Sequence, residues 1–231
     1  MPEFDVSMLL SGQYHDMLLA GLSLSLMLLF VSLLLSLPLA TIVALLRLSP
    51  FAPLRAIGFV FVESIRNIPL LAHMLFWYFG APELLPDSWR KWLYAGDIEA
   101  TCAVIALTLY TSAYMAEDIR SGIRSISTVQ FEAARALGFS FMGAMRRVIL
   151  PQALRVTTPP LISQTLNLWK NTSIATVIGV AELMYQAGQV ESATFRSFES
   201  FAFATAAYLS LSLMITGLAA WFQHRYPARA L

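Results

Sequence analysis

The hydrophobic pattern divides the chain into long charge-free stretches separated by short charged segments. No Asp, Glu, Lys or Arg occurs between Met17 and Leu46, between Ala100 and Ala116, or between Phe201 and Phe222. A helix crosses a bilayer core about 30 Å thick with roughly 20 residues, and the working range is about 17–25. These stretches therefore predict three transmembrane helices, the first of them tilted or bent near Pro38.

Two further stretches are apolar but interrupted by polar groups. Lys170 is the only charge between Arg155 and Glu182, and residues 57–80 contain the segment "ESIRNIP". Counting both, the pattern predicts an all-α membrane protein with five transmembrane helices. We interpret residues 1–231 as a single transmembrane domain, with a cytoplasmic loop at about 119–155 and no soluble domain or internal repeat.

The distribution of basic residues predicts the orientation, because cytoplasmic loops of membrane proteins carry an excess of Lys and Arg. With five spans and the N-terminus outside, ten cations lie inside and three lie outside. The ten are Arg47, Arg55, Arg120, Arg124, Arg135, Arg146, Arg147, Arg155, Arg225 and Arg229. Acidic residues, Glu182 among them, concentrate in the predicted outside loops. We therefore expect a periplasmic N-terminus and a cytoplasmic C-terminus.

Composition agrees with a membrane protein and argues against an enzyme. Charged residues make up 13% of the chain, against about 25% in soluble domains. The single cysteine, Cys102, excludes an internal disulfide. We find no metal-ligand cluster, no phosphate-binding Gly-rich loop, no nucleophile–base pair and no feature typical of nucleic-acid binding. The sequence therefore predicts no catalytic residue, no metal site and no cofactor bound by this chain.

The predicted cytoplasmic loop has the signals of two short helices. Ser127 and Gln130 fit a capping box that begins the first helix, and Gly138 ends it. Ser140 can cap a second helix, and Pro151 is expected to break or kink the chain before the next span. The loop is therefore predicted to form a helix, a turn and a helix.

The residues of this loop allow two interpretations. The apolar ones expected to bury on one side are Phe131, Ala134, Leu137, Phe141 and Met145. The charged ones left for a partner are Glu132, Arg135, Arg146 and Arg147. Such a segment can dock on a partner protein, or it can lie as an amphipathic loop on the membrane surface.

A polar stripe marks the fourth predicted span. Within roughly 120° of helical arc lie Ser163, Gln164, Asn167, Lys170 and Asn171. Charged groups at membrane depth usually face a bundle interior or water. The stripe is thus either a pathway wall that contacts substrate or a set of interhelical hydrogen bonds. In the first case Lys170 would attract a carboxylate, which every amino acid has.

Other polar groups near the spans also have two interpretations. Glu63 and Arg66, three residues apart, either neutralise each other or line the route, Arg66 as its second cation. His73 is either a packing residue with one hydrogen bond or a substrate contact. Glu117 and Asp118 are expected to pair with nearby arginines or with a partner rather than to touch substrate.

The loop sequence "EAARALGFSFMGAMRRVILP" resembles the cytoplasmic signature of ABC-importer permeases, known as the EAA motif. The matching positions are Glu132, Ala133, Ala134, Gly138, Val148, Leu150 and Pro151, with Val148 in place of the usual Ile. Three further segments resemble permeases of the polar amino-acid family, namely "ESIRNIPLL", "AYMAEDIRSGIRSISTVQ" and "LWKNTSIATVIGVAEL". Ser121 replaces the first residue of a usual Gly pair. Within the family the chain is most similar to a permease subunit of glutamate/aspartate importers.

The resemblance implies a function and a set of partners. The loop would couple to a dimer of ATP-binding subunits through Glu132, Ala133, Ala134, Arg135 and Gly138, with ATP and Mg²⁺ bound by those subunits. A second permease subunit, as a heterodimer, would complete the pathway in the lipid of the bacterial inner membrane. A periplasmic substrate-binding protein would deliver the amino acid. The pathway residues would be Lys170, Asn171, Asn167, Gln164, Arg66 and Glu63.

Two other classes of protein compete with this interpretation. An ion-coupled secondary amino-acid transporter would use Glu63 or His73 to carry protons, but such transporters are usually built from internal repeats, and we find none. A membrane enzyme or scaffold is the third class, and the chain shows no set of catalytic groups at one depth. Dependence on a separate ATPase distinguishes the importer from both.

Overall fold

The computed structural model describes residues 10–227 of the chain and is helical almost throughout that range, without strands. Residues 1–9 lie outside the described residues. So does Arg229, one of the ten cations that the sequence assigns to the cytoplasmic side. The helices are α1 (Gln13–Leu48), α2 (Ala52–Arg66), α3 (Leu70–Leu75), α4 (Asp87–Tyr94), α5 (Ile98–Arg124), α6 (Thr128–Ala136), α7 (Phe141–Ala144), α8 (Leu150–Asn171), α9 (Leu183–Thr194) and α10 (Ser197–Arg225). Wider π-helical turns occupy Phe76–Gly80 and Met145–Ile149, and 3-10 turns occupy Ala81–Leu84 and Thr172–Ile178.

The three charge-free stretches form three helices that are long and apolar enough to cross a membrane. They are α1, α5 and α10, with 36, 27 and 29 residues. This confirms an all-α membrane protein. The interrupted stretch at 57–80 is a bent pair, α2 followed by α3 and its extension. The polar α8 does not meet the same apolar criterion within the described residues, so the count of five spans and the orientation stay predictions.

The bend between α2 and α3 comes from Pro69. The chain turns by 101° between the segments Ala52–Arg66 and Leu70–Leu84. Proline has no N–H to donate and disfavours helical geometry at the residue before it, here Ile68. His73 Nε2 lies 3.1 Å from the carbonyl oxygen of Ile65, so one hydrogen bond spans the break and holds the two segments at this angle.

Helix α1 packs closely on its neighbours because its buried face includes many small residues between larger apolar ones. The buried small residues recur at helical spacing at Gly21, Ser25, Ser32, Ser36 and Ala40. Small side chains let helices in a membrane approach closely. Ser36 Oγ donates a hydrogen bond of 3.2 Å to the carbonyl of Thr108 in α5. The main hydrophobic core lies around α5, which contacts α1, α2, α3 and α8.

Glu182 connects three helices through a buried carboxylate. It is the N-cap of α9 and is 0% exposed. Its carboxylate accepts hydrogen bonds from the backbone N–H groups of Tyr185 at 2.9 Å and Met184 at 3.0 Å. It also accepts from Tyr208 OH of α10 at 3.0 Å and from Ser25 Oγ of α1 at 3.1 Å. Four donors thus replace the water that a buried carboxylate loses.

The same junction includes the C-terminal part of α8. Trp169 is completely buried, and its Nε1 donates to the carbonyl of Tyr208 at 3.1 Å. Ser25 Oγ in turn accepts from the backbone N–H of Leu183 at 3.1 Å. The sequence places Glu182 among the acidic residues of an outside loop, and that location stays a prediction; the structure adds that its carboxylate is buried. Local sequence does not reveal this burial, because two of the four donors, Ser25 and Tyr208, lie 157 and 26 positions away.

We predict that Glu182→Ala lowers the free energy of unfolding by about 3 kcal/mol, because four donors then lose a shared buried acceptor. Thermal unfolding of the purified protein in detergent measures this as a lower midpoint. Glu83→Ala is the control, since Glu83 is exposed and its ion pair with Arg90 at 3.4 Å lies at the surface. Equal midpoints for Glu182→Ala and the control would contradict the junction's role.

Candidate functional site

Helices α5 and α8 enclose a cavity of about 460 Å³. This volume lies in the range of about 300–1,000 Å³ that small-molecule sites occupy. Its lining is mostly polar and aromatic, and consists of Tyr110, Thr111, Tyr114, Gln164, Asn167, Leu168, Lys170 and Asn171.

The α8 wall is the polar stripe that the sequence predicts. Gln164, Asn167, Lys170 and Asn171 all line the cavity. The helix has 22 residues from Leu150 to Asn171, so positions three, four and seven apart share a face. Ser163 departs from the prediction, because it lines a separate cavity of about 250 Å³ against α10.

The polar groups of α8 differ in how far they are already paired. Gln164 Nε2 donates to Asp118 Oδ2 at 3.0 Å, and Asn167 Nδ2 donates to Gln164 Oε1 at 3.4 Å. Lys170 is exposed, and no carboxylate lies within ion-pair distance of its ammonium among residues 10–227. The cavity therefore presents one cation that is open to a ligand.

The α5 wall contributes residues that the sequence analysis did not select. Tyr110, Thr111 and Tyr114 line the cavity, and Asp118 borders it through its bond with Gln164. Tyr110 OH donates to Tyr114 OH at 3.3 Å. Tyr110, Tyr114 and Asp118 are spaced four residues apart, which places them on one helical face. This spacing could have indicated a polar helix face in the sequence. It was overlooked because tyrosines in an apolar stretch are also common in a packed core.

Arg66 and Glu63 have separate partners in the structure. The Arg66 guanidinium lies over the ring of Tyr114, 4.9 Å from its centroid, which places this cation beside the cavity. Glu63 Oε1 lies 3.9 Å from Arg47 Nη1, and Glu63 is not among the cavity-lining residues. The alternative that Glu63 and Arg66 neutralise each other is therefore wrong.

His73 and Glu117 have structural partners. His73 is buried, bonded to Ile65 and in edge contact with the Tyr110 ring at 6.1 Å, as expected of a packing residue. Glu117 forms ion pairs with Arg120 at 2.7 Å and with Arg47 at 3.1 Å, which confirms the expected pairing with arginine.

The loop between α5 and α8 forms the predicted helix, turn and helix. Ser127 Oγ accepts from the N–H of Val129 at 3.3 Å, and Ser140 Oγ accepts from Gly143 at 3.1 Å, so both serines cap helices. Gly138 has a φ of +84° and ends α6.

The backbone around Gly138 forms a Schellman turn. The N–H of Gly138 donates to Arg135 O at 3.0 Å, and the N–H of Phe139 donates to Ala134 O at 3.2 Å. This pair of bonds is typical of a helix that ends in a left-handed residue, the conformation that glycine adopts most easily.

The expected burial of the loop's apolar residues is partly wrong. Ala134 is buried, and the rings of Phe131 and Phe141 meet edge to face with centroids 5.6 Å apart. Leu137 and Phe141, however, are 80% and 61% exposed. The sharp turn at Gly138 leaves these side chains outside, since the two short helices are too small to cover them. The loop thus presents an apolar surface as well as charges.

The residues that resemble the EAA motif lie on different sides of α6. Glu132 and Ala133 are exposed, whereas Ala134 packs inward. Arg135 Nη1 donates to the carbonyl of Phe139 at 2.8 Å, so this arginine also stabilises the turn. Of the proposed coupling residues, Glu132 and Ala133 are the ones on the open surface without such a role, because Gly138 itself forms the turn.

Of the break or kink expected at Pro151, the structure shows no break. Helical turns continue from α7 through the π-helical segment Met145–Ile149 into α8, and Pro151 lies in the first turn of α8. The widened π-helical turn directly before it accommodates a residue that has no N–H to donate. The loop is therefore connected to the cavity wall by uninterrupted helical structure.

Comparison with known proteins identifies the family. The model of the "Binding-protein-dependent transport system inner membrane component" family matches residues 36–226. The chain belongs to this family. It is 40% identical over 212 residues to the probable glutamine ABC transporter permease protein GlnM of Bacillus subtilis, covering 91% of this chain and 89% of that protein. It is 35% identical to the glutamate/aspartate import permease protein GltJ of Escherichia coli K12 over 74% and 71% of the two chains.

The solved structures agree with the family in fold. A crystal structure of an amino acid ABC transporter with histidines superposes with a TM-score of 0.84 at 32% identity, over 97% of this chain and 100% of that one. The resemblance to ABC-importer permeases, the all-α permease fold and the location in the inner membrane are thereby confirmed. The chain is a permease subunit of the amino-acid ABC transporter group.

We predict that Gly138→Ala destabilises the Schellman turn, because a side chain at a φ of +84° costs roughly 1 kcal/mol. No neighbouring atom would touch the added methyl group, so strain is the only cost. Hydrogen exchange of residues 128–144 should accelerate by about fivefold.

Gly217→Ala is the matched control, since Gly217 lies within α10, has ordinary helical geometry and also has open space around it. Unchanged exchange in both variants would show that the left-handed residue does not limit the stability of the loop.

Proposed function

We propose that the cavity between α5 and α8 is the amino-acid pathway of an ATP-driven importer and that glutamate and aspartate are its substrates. The observation that carries this proposal is an open ammonium group, Lys170, in a polar cavity of about 460 Å³. An ammonium without a protein partner is suited to the α-carboxylate that every amino acid carries.

The charges around the cavity support an acidic substrate. Lys170 and Arg66 are cations, and Asp118 is a carboxyl group that lies near enough to Arg66 for electrostatic attraction. Glutamate and aspartate have two carboxylates and one ammonium, which is the complementary set of charges. Tyr110 and Tyr114 add hydroxyl groups that can orient the substrate by hydrogen bonds.

Glutamine is the second candidate, because the relative with 40% identity is a probable glutamine permease. A neutral amino acid would leave one of the two cations without a substrate partner. The amide groups of Gln164, Asn167 and Asn171 could bind the glutamine side chain instead. The two candidates therefore differ in whether Arg66 contacts substrate.

The connection between the loop and the cavity supports a coupling function. Residues 125–149 join the two helices that line the cavity, α5 and α8, so movement of the loop reaches both walls. We infer that Glu132 and Ala133 dock on a separate ATP-binding subunit that holds ATP and Mg²⁺, together with the exposed Leu137 and Phe141. ATP binding would then shift the equilibrium between inward-open and outward-open states.

The remaining partners follow from the same proposal. A periplasmic binding protein would deliver the amino acid, and a second, different permease chain would form the other half of the pathway. This chain would contribute its cavity without catalytic residues of its own.

Uptake into proteoliposomes tests the proposed function. The vesicles contain this chain with its co-expressed permease and ATPase, and the binding protein is added outside with radiolabelled glutamate, aspartate, glutamine, arginine or histidine. We expect ATP-dependent uptake of glutamate and aspartate. Uptake of glutamine alone would favour the second candidate, and uptake that follows a proton gradient without ATP would contradict the importer mechanism.

Replacing the open cation should weaken transport. We predict that Lys170→Ala lowers uptake by about tenfold, because one charge-assisted hydrogen bond to the substrate contributes about 1.5 kcal/mol. ATPase subunits should still co-purify at the normal ratio. Lys91→Ala is the control, as Lys91 is exposed on α4. Uptake by Lys170→Ala equal to the control would remove Lys170 from the pathway.

Reversing the charge of the loop should separate the permease from its ATPase. We predict that Glu132→Arg abolishes ATP-driven uptake while the protein still inserts and folds, since Glu132 is exposed. Glu83→Arg makes the same change at an exposed site elsewhere and should transport normally. Normal uptake and normal co-purification of the ATPase with Glu132→Arg would disprove docking through this residue.

A further inference from the structure

A third cavity, of about 410 Å³, is lined by four arginines and has no part in the proposed transport pathway. It lies where the end of α1, the start of α2 and the end of α5 meet. Its lining residues are Arg47, Ala52, Arg55, Ala56, Phe59, Arg120 and Arg124. We propose that it binds the phosphate headgroup of an anionic phospholipid.

The cavity contains more arginines than neighbouring carboxylates. Glu117 pairs with Arg47 and Arg120, and Glu63 lies 3.9 Å from Arg47. Arg55 and Arg124, by contrast, have no carboxylate within 4.0 Å among the described residues. Four guanidinium groups therefore face two carboxylates, and a net charge of about two remains to be balanced by an anion.

Three of the four arginines are held in place before any anion binds, and Arg120 is one of them through its ion pair with Glu117. Arg47 is nearly buried, with 11% of its side chain exposed, and its guanidinium lies 5.2 Å from the Phe59 ring centroid. Arg55 Nη1 donates to the carbonyl of Ser49 at 3.4 Å. Guanidinium groups bind phosphate oxygens through two parallel hydrogen bonds, so preorganised arginines form a phosphate site with a small entropic cost.

The start of α2 adds a second favourable feature. No side chain caps its first turn, so the backbone N–H groups there, apart from that of Pro53, which has none, lack a side-chain partner at the positive end of the helix. Ala52 lines the cavity from this turn and Ala56 from the next. Small side chains at these positions leave room for an anion near the helix end.

The neighbouring surface selects an amphiphile over a soluble anion. The outer face of α2 is apolar and exposed, with exposed fractions of 59% for Ile57 and 61% for Val60. This face continues directly from the cavity along a helix that the sequence predicts to lie at the membrane. A headgroup in the arginine cavity would therefore place its acyl chains along α2. Basic pockets at the ends of membrane helices bind anionic lipids in this way.

The predicted orientation agrees with this occupant. All four arginines are among the cations that the sequence assigns to the cytoplasmic side, where anionic lipids and positively charged loops meet. A partner protein with acidic residues could also bind these arginines, but its binding would not require the exposed apolar face of α2 beside them.

Titration with defined lipids tests the proposal. The full chain, purified in mild detergent with the subunits that co-purify, is mixed with phosphatidylglycerol, with phosphatidylcholine of the same chains, or with glycerol phosphate. Native mass spectrometry counts the bound molecules. We expect phosphatidylglycerol to bind at least tenfold more tightly than phosphatidylcholine, and glycerol phosphate not to bind at the same concentration.

The variant Arg55→Gln with Arg124→Gln keeps the ion pairs of Glu117 and should weaken phosphatidylglycerol binding by about tenfold. The control variant Arg155→Gln with Arg225→Gln removes two exposed arginines outside the cavity and should bind normally. Equal lipid binding by both variants would overturn the proposal. So would glycerol phosphate binding as tightly as the lipid, or loss of a co-purifying subunit from the first variant with lipid binding unchanged.

Discussion

The buried carboxylate of Glu182 is the interaction on which the arrangement of the helices depends. An unpaired carboxylate inside a protein is very costly, so its four donors from α1, α9 and α10 must all stay in place. Tyr208 extends this constraint to Trp169, which precedes Lys170 directly in the C-terminal part of α8. The junction therefore fixes the rotation of α8 and with it the side of the helix that Lys170 occupies.

The cavity and the loop between α5 and α8 are connected directly, because both are built on these two helices. α5 enters the loop and α8 leaves it, and the π-helical turns before Pro151 keep the second connection helical. Gly138 lets the loop reverse direction without strain. The exposed apolar residues of the loop and Glu132 are suited to contact a partner protein. A displacement of the loop would therefore be transmitted to both walls of the cavity.

Much of the fold could be predicted from the sequence, because charge-free stretches of bilayer length have few alternative structures. The stripe on α8 was also visible, since polar residues at helical spacing stand out in an apolar segment. The role of Glu182 could not be predicted, because two of its four donors, Ser25 and Tyr208, are distant in sequence. Tyr110 and Tyr114 were overlooked because tyrosine also suits a core. Leu137 and Phe141 were misjudged because burial depends on how much surface two short helices can cover.

Accessibility of the cavity to thiol reagents tests the central claim, that the space between α5 and α8 is the transport pathway. The native Cys102 is buried and is replaced by serine; Asn167→Cys then places a thiol in the cavity, and Ser163→Cys places one in the separate cavity against α10. In vesicles with the complete transporter, ATP binding should transfer reactivity of Cys at 167 from the cytoplasmic to the external side, while Cys at 163 is unaffected. A thiol at 167 that reacts from the same side with and without ATP would contradict the account.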